Sequence, residues 1–329
     1  MAIALALIGG FVLLVLGGEL LVRGSVRVAE RMGVSPLLIG ITLVGFGTSA
    51  PEIVTSVQAA LIGSPGIAVG NIVGSNMANM LLILGASALI CPLFVESRAL
   101  RRDGVVVVAT ALLLVAVGWT VGLSRPVGAG FLVLLCAYLA YAVVQERGAK
   151  DDHTAAFDRA EAMSGSDAAL RPRAPAGAGA LSWLAPVAIA IGGLALIILG
   201  GRLLVSGAVD LARLLGMSEE VIGLTIVAAG TSMPELVTSL VAAIRRQTDV
   251  AVGNILGSNI YNVLGIGSLT GIIAPTPVPA QIANFDSPLM VAASLLLFLF
   301  AWTGARLSRI EGGLLLALYV AYIAWLVAG

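Results

Sequence analysis

The length of its apolar runs limits this chain more than any other feature. Residues 3–18 read IALALIGGFVLLVLGG, and comparable stretches recur almost to the C-terminus. A helix that crosses a bilayer needs about 20 mainly apolar residues. Ten segments fit: 2–24, 33–62, 66–92, 104–122, 126–146, 183–208, 216–244, 250–273, 287–304 and 308–328. In lipid only helices or closed barrels satisfy every backbone polar group. These runs are too long and too uniformly apolar for barrel strands, which alternate over about ten residues. The expected class is an all-α membrane protein of ten transmembrane helices. The composition agrees, at 59% hydrophobic and 11% charged, where a soluble domain carries about 25% charge. The first run lacks the basic lead and cleavage pattern of a signal peptide, so it reads as a retained first span.

Lys+Arg and Asp+Glu balance at 18 each, which points away from a nucleic-acid partner. The two cysteines, Cys91 and Cys136, lie in apolar runs without metal-ligand or disulfide spacing, and His153 is the single histidine. No resident cofactor is expected. Nor is an enzyme, since no nucleophile–base pair or phosphate-binding loop appears. Arginine and lysine set the orientation. Arg27, Arg31, Arg98, Arg101, Arg102, Arg147, Lys150, Arg159, Arg171, Arg173, Arg245, Arg246, Arg306 and Arg309 fall in loops on one side, and Arg125 and Arg213 on the other. Both termini are therefore expected outside. The polar, Ala/Gly/Pro-rich stretch 147–182 is then a cytoplasmic linker with no core of its own.

A duplication organises the rest. Residues 33–57, GVSPLLIGITLVGFGTSAPEIVTSV, match residues 216–240, GMSEEVIGLTIVAAGTSMPELVTSL, at an offset of 183. The same ungapped offset carries GNIVGSNMANMLLILG onto GNILGSNIYNVLGIG, and Gly17-Gly18 onto Gly200-Gly201. The chain divides into a first repeat (1–146), the linker (147–182) and a second repeat (183–329). Each repeat has five spans. Five is odd, so the second copy enters from the opposite side, giving two inverted five-helix repeats. In transporters built this way the substrate site lies at the bilayer midplane between the repeats.

Glu52 and Glu235 occupy matched positions in the middle of spans 2 and 7. An ionised carboxylate at that depth costs at least about 2.5–3.5 kcal/mol and marks a functional site. Two carboxylates facing one site repel unless a cation lies between them or one is protonated. Pro51 and Pro234 have no N–H for Gly47 and Gly230, which frees carbonyl oxygens and kinks the helix. Thr48, Glu52 and Thr55 share a helical face, as do Asn71, Ser75 and Asn79. Their mates are Thr231, Glu235, Thr238, Asn254, Ser258 and Asn262. All are oxygen donors suited to Ca2+ and Na+ rather than to zinc, copper or iron. Interhelical hydrogen bonding remains an equal reading for Ser49, Ser56, Thr55, Thr238, Asn71 and Asn76. Arg202 could pair with its register mate Glu19. Glu219 and Glu220, at the mouth of span 7, read as solvated loop charge.

GTSAPE with GNIVGSNMAN, repeated as GTSMPE with GNILGSNIYN, resembles the α-repeats of the cation/Ca2+ antiporter superfamily, in its Na+/Ca2+ exchanger branch. The resemblance covers nearly the whole chain. It implies counter-transport of Na+ and Ca2+ across a cell membrane by alternating access. The ion ligands it implies are Glu52, Glu235, Thr48, Thr231, Ser49, Ser232, Ser75, Ser258, Asn79 and Asn262, with backbone carbonyls near Gly45 and Ala228. Some relatives, notably potassium-dependent ones, carry Asp where Asn79 and Asn262 stand here, which argues against K+ co-transport. The linker is too short for the Ca2+-sensing domains of animal exchangers. The GNxxE pattern of H+/Ca2+ relatives is absent, which favours Na+ as the coupling ion.

Overall fold

The computed structural model describes residues 2–31, 49–94, 98–146, 181–244, 246, 248–304 and 306–328. Nearly all of them are helical. The first half contributes α1 (Ala2–Arg31), α2 (Ala50–Leu61), α3 (Pro65–Ile90), α4 (Arg98–Thr120) and α5 (Arg125–Glu146). The second half contributes α6 (Leu181–Leu215), α7 (Glu219–Thr231), α8 (Met233–Ile244), α9 (248–273), α10 (282–304) and α11 (Arg309–Ala328). Two short strands, β1 (Leu93–Phe94) and β2 (Arg306–Leu307), pair antiparallel.

Local chemistry sets several of these ends. Gly216, at φ +63°, closes α6: its amide and that of Met217 reach back to the carbonyls of Arg213 and Ala212. This αL cap uses the one residue type without a Cβ penalty. Ser218 then starts α7, its hydroxyl accepting the Val221 amide at 3.3 Å. Glu219 and Glu220 thus occupy the first turn of a helix, half-buried, rather than a loop. Between α2 and α3 the chain turns at Gly63 (φ +79°), and Pro65 enters the new helix where its missing N–H costs nothing.

The 183-residue register holds in the backbone. Residues 50–61 and 65–77 are helical, and so are 233–244 and 248–260. A π-helical turn then follows in each half, Ala78–Ile83 and Tyr261–Ile266. The direction of the copies is visible in the glycine contacts. Gly10 faces Gly200 and Leu204, Gly17 faces Gly193 and Ile197, and Gly24 faces Pro186 and Ala190. One index falls as the other rises, so α1 and α6 run antiparallel although they are register mates. Small residues every seventh position let the two backbones touch.

The halves interlock. The C-terminal part of α3 packs on α11, and that of α9 packs on α5. Leu93 pairs with Leu307 and Phe94 with Arg306, while Leu123 and Thr276 exchange two backbone hydrogen bonds of 3.0 Å. Each repeat therefore inserts its last helix against the middle helix of the other. This wrapping buries 94% of the span Pro65–Ile90, against 24% of the α1 span and 28% of the α6 span. The centre of the fold sees protein on all sides, and α1 and α6 lie at its edge.

Seven described helices are long and apolar enough to cross a membrane, and α7 with α8 forms one further bent pair. Of the expected second span only residues 49–62 are described, and the linker up to residue 180 lies outside the described residues. The expected starts at 104 and 287 were late. The helices begin at Arg98 and Ile282, because the charged or polar first turns 98–103 and 282–286 continue the helix beyond the apolar window.

Two glycines of α6 should respond in opposite ways. A Cβ on Gly200 would lie 2.7 Å from the Gly10 carbonyl oxygen and 2.8 Å from the Leu14 nitrogen, whereas a Cβ on Gly192 meets nothing within 4 Å. Gly200→Ala is expected to lower the melting temperature in detergent. Gly192→Ala should leave it unchanged or raise it, since Ala favours a helix by about 1 kcal/mol over Gly.

Candidate cation site

Matched prolines stand in the first turns of α2 and α8. Ser232 ends α7 with φ −85° and ψ 8°, and Ser49 precedes α2 with φ −85° and ψ 4°. The bend between α7 and α8 is 51°. Pro234 cannot donate to the Gly230 carbonyl, so the axis turns there as the sequence predicts. The Ala228 carbonyl accepts the Ser232 amide at 3.1 Å, and Thr231 Oγ1 lies 3.4 Å from it. Each motif glutamate follows one turn into a fresh helix, where the N-terminal dipole favours a carboxylate. Glu52 is 1% exposed and Glu235 2%.

Two asparagines tie the motifs of each repeat together. Asn71 Nδ2 donates to the Glu52 carbonyl at 3.2 Å and to Ser56 Oγ at 2.9 Å. Its mate Asn254 donates to the Glu235 carbonyl at 3.5 Å and to Ser239 Oγ at 2.9 Å. A third bond joins the repeats: Thr231 Oγ1 donates to Asn71 Oδ1 at 3.0 Å. Glu52 is thereby linked through Asn71 to the turn that carries Glu235. For Asn71, then, the interhelical reading describes the bonds seen. Thr238 bonds back to the Pro234 carbonyl at 2.7 Å.

Asn79 and Asn262 lie in the two π turns, where the regular i→i−4 ladder opens. They meet across the repeat interface. Asn79 Nδ2 donates to Asn259 Oδ1 at 3.0 Å, and Asn262 Nδ2 donates to Asn76 Oδ1 at 3.4 Å. Several buried oxygens nearby accept or donate nothing within the protein: Ser75 Oγ, Ser258 Oγ, Ser232 Oγ and Asn79 Oδ1. Buried polar atoms are seldom left so, and an ordered water, an ion or a ligand can complete them. Among the described residues no three Asp, Glu, His or Cys side chains cluster. The donor set is therefore two carboxylates supplemented by hydroxyl, amide and carbonyl oxygens, the chemistry of a hard cation.

The structure thus brings Glu52, Ser49, Ser75 and Asn79 together with Thr231, Ser232, Glu235, Ser258, Asn262 and Ala228 on helices that pack at the centre. Gly45 and Thr48 lie outside the described residues. The Arg202–Glu19 pair does not form: Glu19 pairs with Arg23, one turn away in α1, because a neighbour on the same helix face is nearer than the facing helix, and Arg202 is exposed. Asp103 and Asp286 were missed. They are register mates, 1% and 0% exposed, and Tyr322 donates to Asp286 Oδ1 at 2.9 Å. The 183-residue offset could have found them, but both stand just outside the apolar windows.

A family model described as sodium/calcium exchanger protein matches residues 2–144 and 185–328. This chain belongs to the sodium/calcium exchanger family. Among its relatives, the sodium/calcium exchanger MaX1 of Methanosarcina acetivorans is 35% identical over 343 residues, covering 97% of each chain. The inner membrane protein YrbG of Escherichia coli is 34% identical over 322 residues, covering 97% of this chain and 94% of that protein. A solved structure of the sodium-calcium exchanger NCX_Mj is similar at TM-score 0.62 and 32% identity, covering 98% of both chains. The chain is accordingly a multi-pass helical membrane protein of a cation/Ca2+ antiporter family.

Asn71→Leu removes the donor to Ser56 and Glu52 and the cross-repeat acceptor of Thr231, which keeps the Val227 carbonyl at 3.1 Å. The expected loss is about 2–4 kcal/mol, since an unpaired buried polar group costs about 1–3 kcal/mol. Differential scanning fluorimetry in detergent should show the drop. An unchanged melting temperature would show that these bonds do not hold the centre together.

Proposed function

We propose that this protein is a secondary antiporter that exchanges Na+ for Ca2+ by alternating access. The transported ions bind at the midplane between the repeats 1–146 and 183–329. Glu52 and Glu235 supply the charge. Thr48, Thr231, Ser49, Ser232, Ser75, Ser258, Asn79 and Asn262 supply neutral oxygens, and the carbonyls of Gly45 and Ala228 complete the shell. The observation that carries this reading is the pair of register-matched glutamates, each almost fully buried in the first turn of a helix that opens on a proline.

The logic is electrostatic. Two ionised carboxylates at bilayer depth are balanced by one Ca2+ or by several Na+, and repel when neither is present. An empty site then resists passage between inward- and outward-open states, so exchange is favoured over leak. Neutral Asn at both 79 and 262 limits the charge to two, which suits Ca2+ without an added K+. The similarity to MaX1 and NCX_Mj, both named as sodium/calcium exchangers, supports the choice of ions.

In proteoliposomes, Ca2+ uptake should follow an imposed Na+ gradient and ignore a pH gradient of equal size. A response to pH alone would establish H+ coupling instead. Glu52→Gln and Glu235→Gln should each abolish Ca2+ flux while the purified protein stays monodisperse. Near-normal exchange in either variant would remove the carboxylate pair from the mechanism.

The arginine bias places the termini outside and 147–182 in the cytoplasm of a plasma or inner membrane. A cysteine at Ser166, in a background lacking Cys91 and Cys136, should react with a membrane-impermeant maleimide only from the cytoplasmic side. Labelling from outside would reverse the orientation.

A further inference from the structure

Asn76 and Asn259 have no place in the proposed ion shell. Yet each is 2% exposed, and each is bonded to an asparagine that does have one. Asn259 Oδ1 accepts the Asn79 amide at 3.0 Å, and Asn76 Oδ1 accepts the Asn262 amide at 3.4 Å. The two bonds are register mates, and both cross between repeats. The same relation repeated at both half-sites argues against a chance contact.

A carboxamide is flat, with its two N–H donors on one side and its acceptor oxygen on the other. Once the partner repeat holds the nitrogen, the oxygen must face the opposite way. Asn79 Oδ1 does so, buried and without a protein donor. Turning the Asn79 carboxamide over would press its oxygen against Asn259 Oδ1 and aim N–H groups where a cation would sit. With Asn259 Oδ1 facing it, Asn79 presents its oxygen rather than a repelling donor. Asn76 is itself anchored, its Nδ2 donating to Met290 Sδ at 3.4 Å. The position matched to Met290 is Val107, which offers no acceptor, and Asn259 Nδ2 has no partner.

We propose that Asn76 and Asn259 are positioning residues: each accepts the amide N–H of the opposite repeat's asparagine, Asn259 so turning the unpartnered oxygen of Asn79 toward the transported cation and Asn76 holding Asn262 in the matching way. The proposal rests on the Ca2+ reading of the site. It adds that the repeats orient each other's ligands, so neither half-site is complete alone.

Ca2+ affinity of the purified full chain, measured by titration calorimetry in Na+-free detergent buffer, tests this without any gradient. Asn259→Leu removes the acceptor and should raise the Ca2+ Kd roughly three- to ten-fold, the worth of one neutral hydrogen bond. Asn259→Asp keeps an acceptor oxygen and should not raise it beyond about two-fold of wild type. In an Asn79→Ala background, Asn259→Leu should add nothing, because its ligand is gone. Asn76 variants should behave likewise with Asn262→Ala. If Asn259→Leu does not fold, Asn259→Ser, whose hydroxyl is too short to reach, takes its place in the same cycle. Additive losses in the double variant, a Kd unchanged by Asn259→Leu, or an Asp variant as weak as the Leu variant would each overturn the proposal in favour of simple helix packing. Wild type that binds Ca2+ but ignores a Na+ gradient would overturn only the coupling ion. Wild type that binds no Ca2+ would overturn both readings.

Discussion

Glu52 and Glu235 are almost fully buried, so the polar atoms around them must find partners in protein, in a bound water or in an ion. The rest of the centre follows from that requirement. Proline turns the axis between α7 and α8 at Ser232, and its mate stands in the first turn of α2. Asn71 and Asn254 bond the backbone there, each fastening the proline-led helix to the π-interrupted helix of its own repeat. Thr231 then fastens one repeat to the other. Buried networks of this kind are stable only when nearly complete. The oxygens left over, on Ser75, Ser258, Ser232 and Asn79, are therefore the informative ones.

The interlocked repeats explain why such a polar centre is tolerated. The helices that carry the asparagines are wrapped by the last helix of the opposite half and by the paired segments at Leu93 and Leu307. Lipid never reaches them. α1 and α6 bind each other through glycine-lined backbone contact, and their inner face packs on α2, α3 and α7. The fold therefore separates a hydrogen-bonded core from a peripheral helix pair held mainly by close packing.

Much of this was legible in the residues. A gap-free 183-residue register marks the duplication, and an odd number of spans per copy inverts it. The antiparallel run of Gly10, Gly17 and Gly24 along α6 agrees with that inference. Proline four residues after glycine marks the break between α7 and α8. Other features were hidden because hydropathy measures only apolar content. Asp103 and Asp286 stand in first turns too polar for an apolar window, although their burial is complete. Glu19 found Arg23 on its own helix rather than Arg202, a choice of rotamer and face that no spacing rule separates from the alternative.

The sequence by itself determined the membrane-spanning class, the inverted duplication, the matched prolines and the oxygen-only set of candidate ligands, because apolar length, register and residue chemistry are properties of the chain. Only the tertiary structure decided which asparagine oxygens are spent on neighbours and which are left over. Asn71, Asn76 and Asn79 are nearly alike in one dimension. Their different duties arise from what the opposite repeat places beside each: Thr231 against Asn71, Asn262 against Asn76, and Asn259 against Asn79. Those partners come from residues 160 to 186 positions away, and a hydrogen bond requires contact within about 3 Å, which only the folded chain provides.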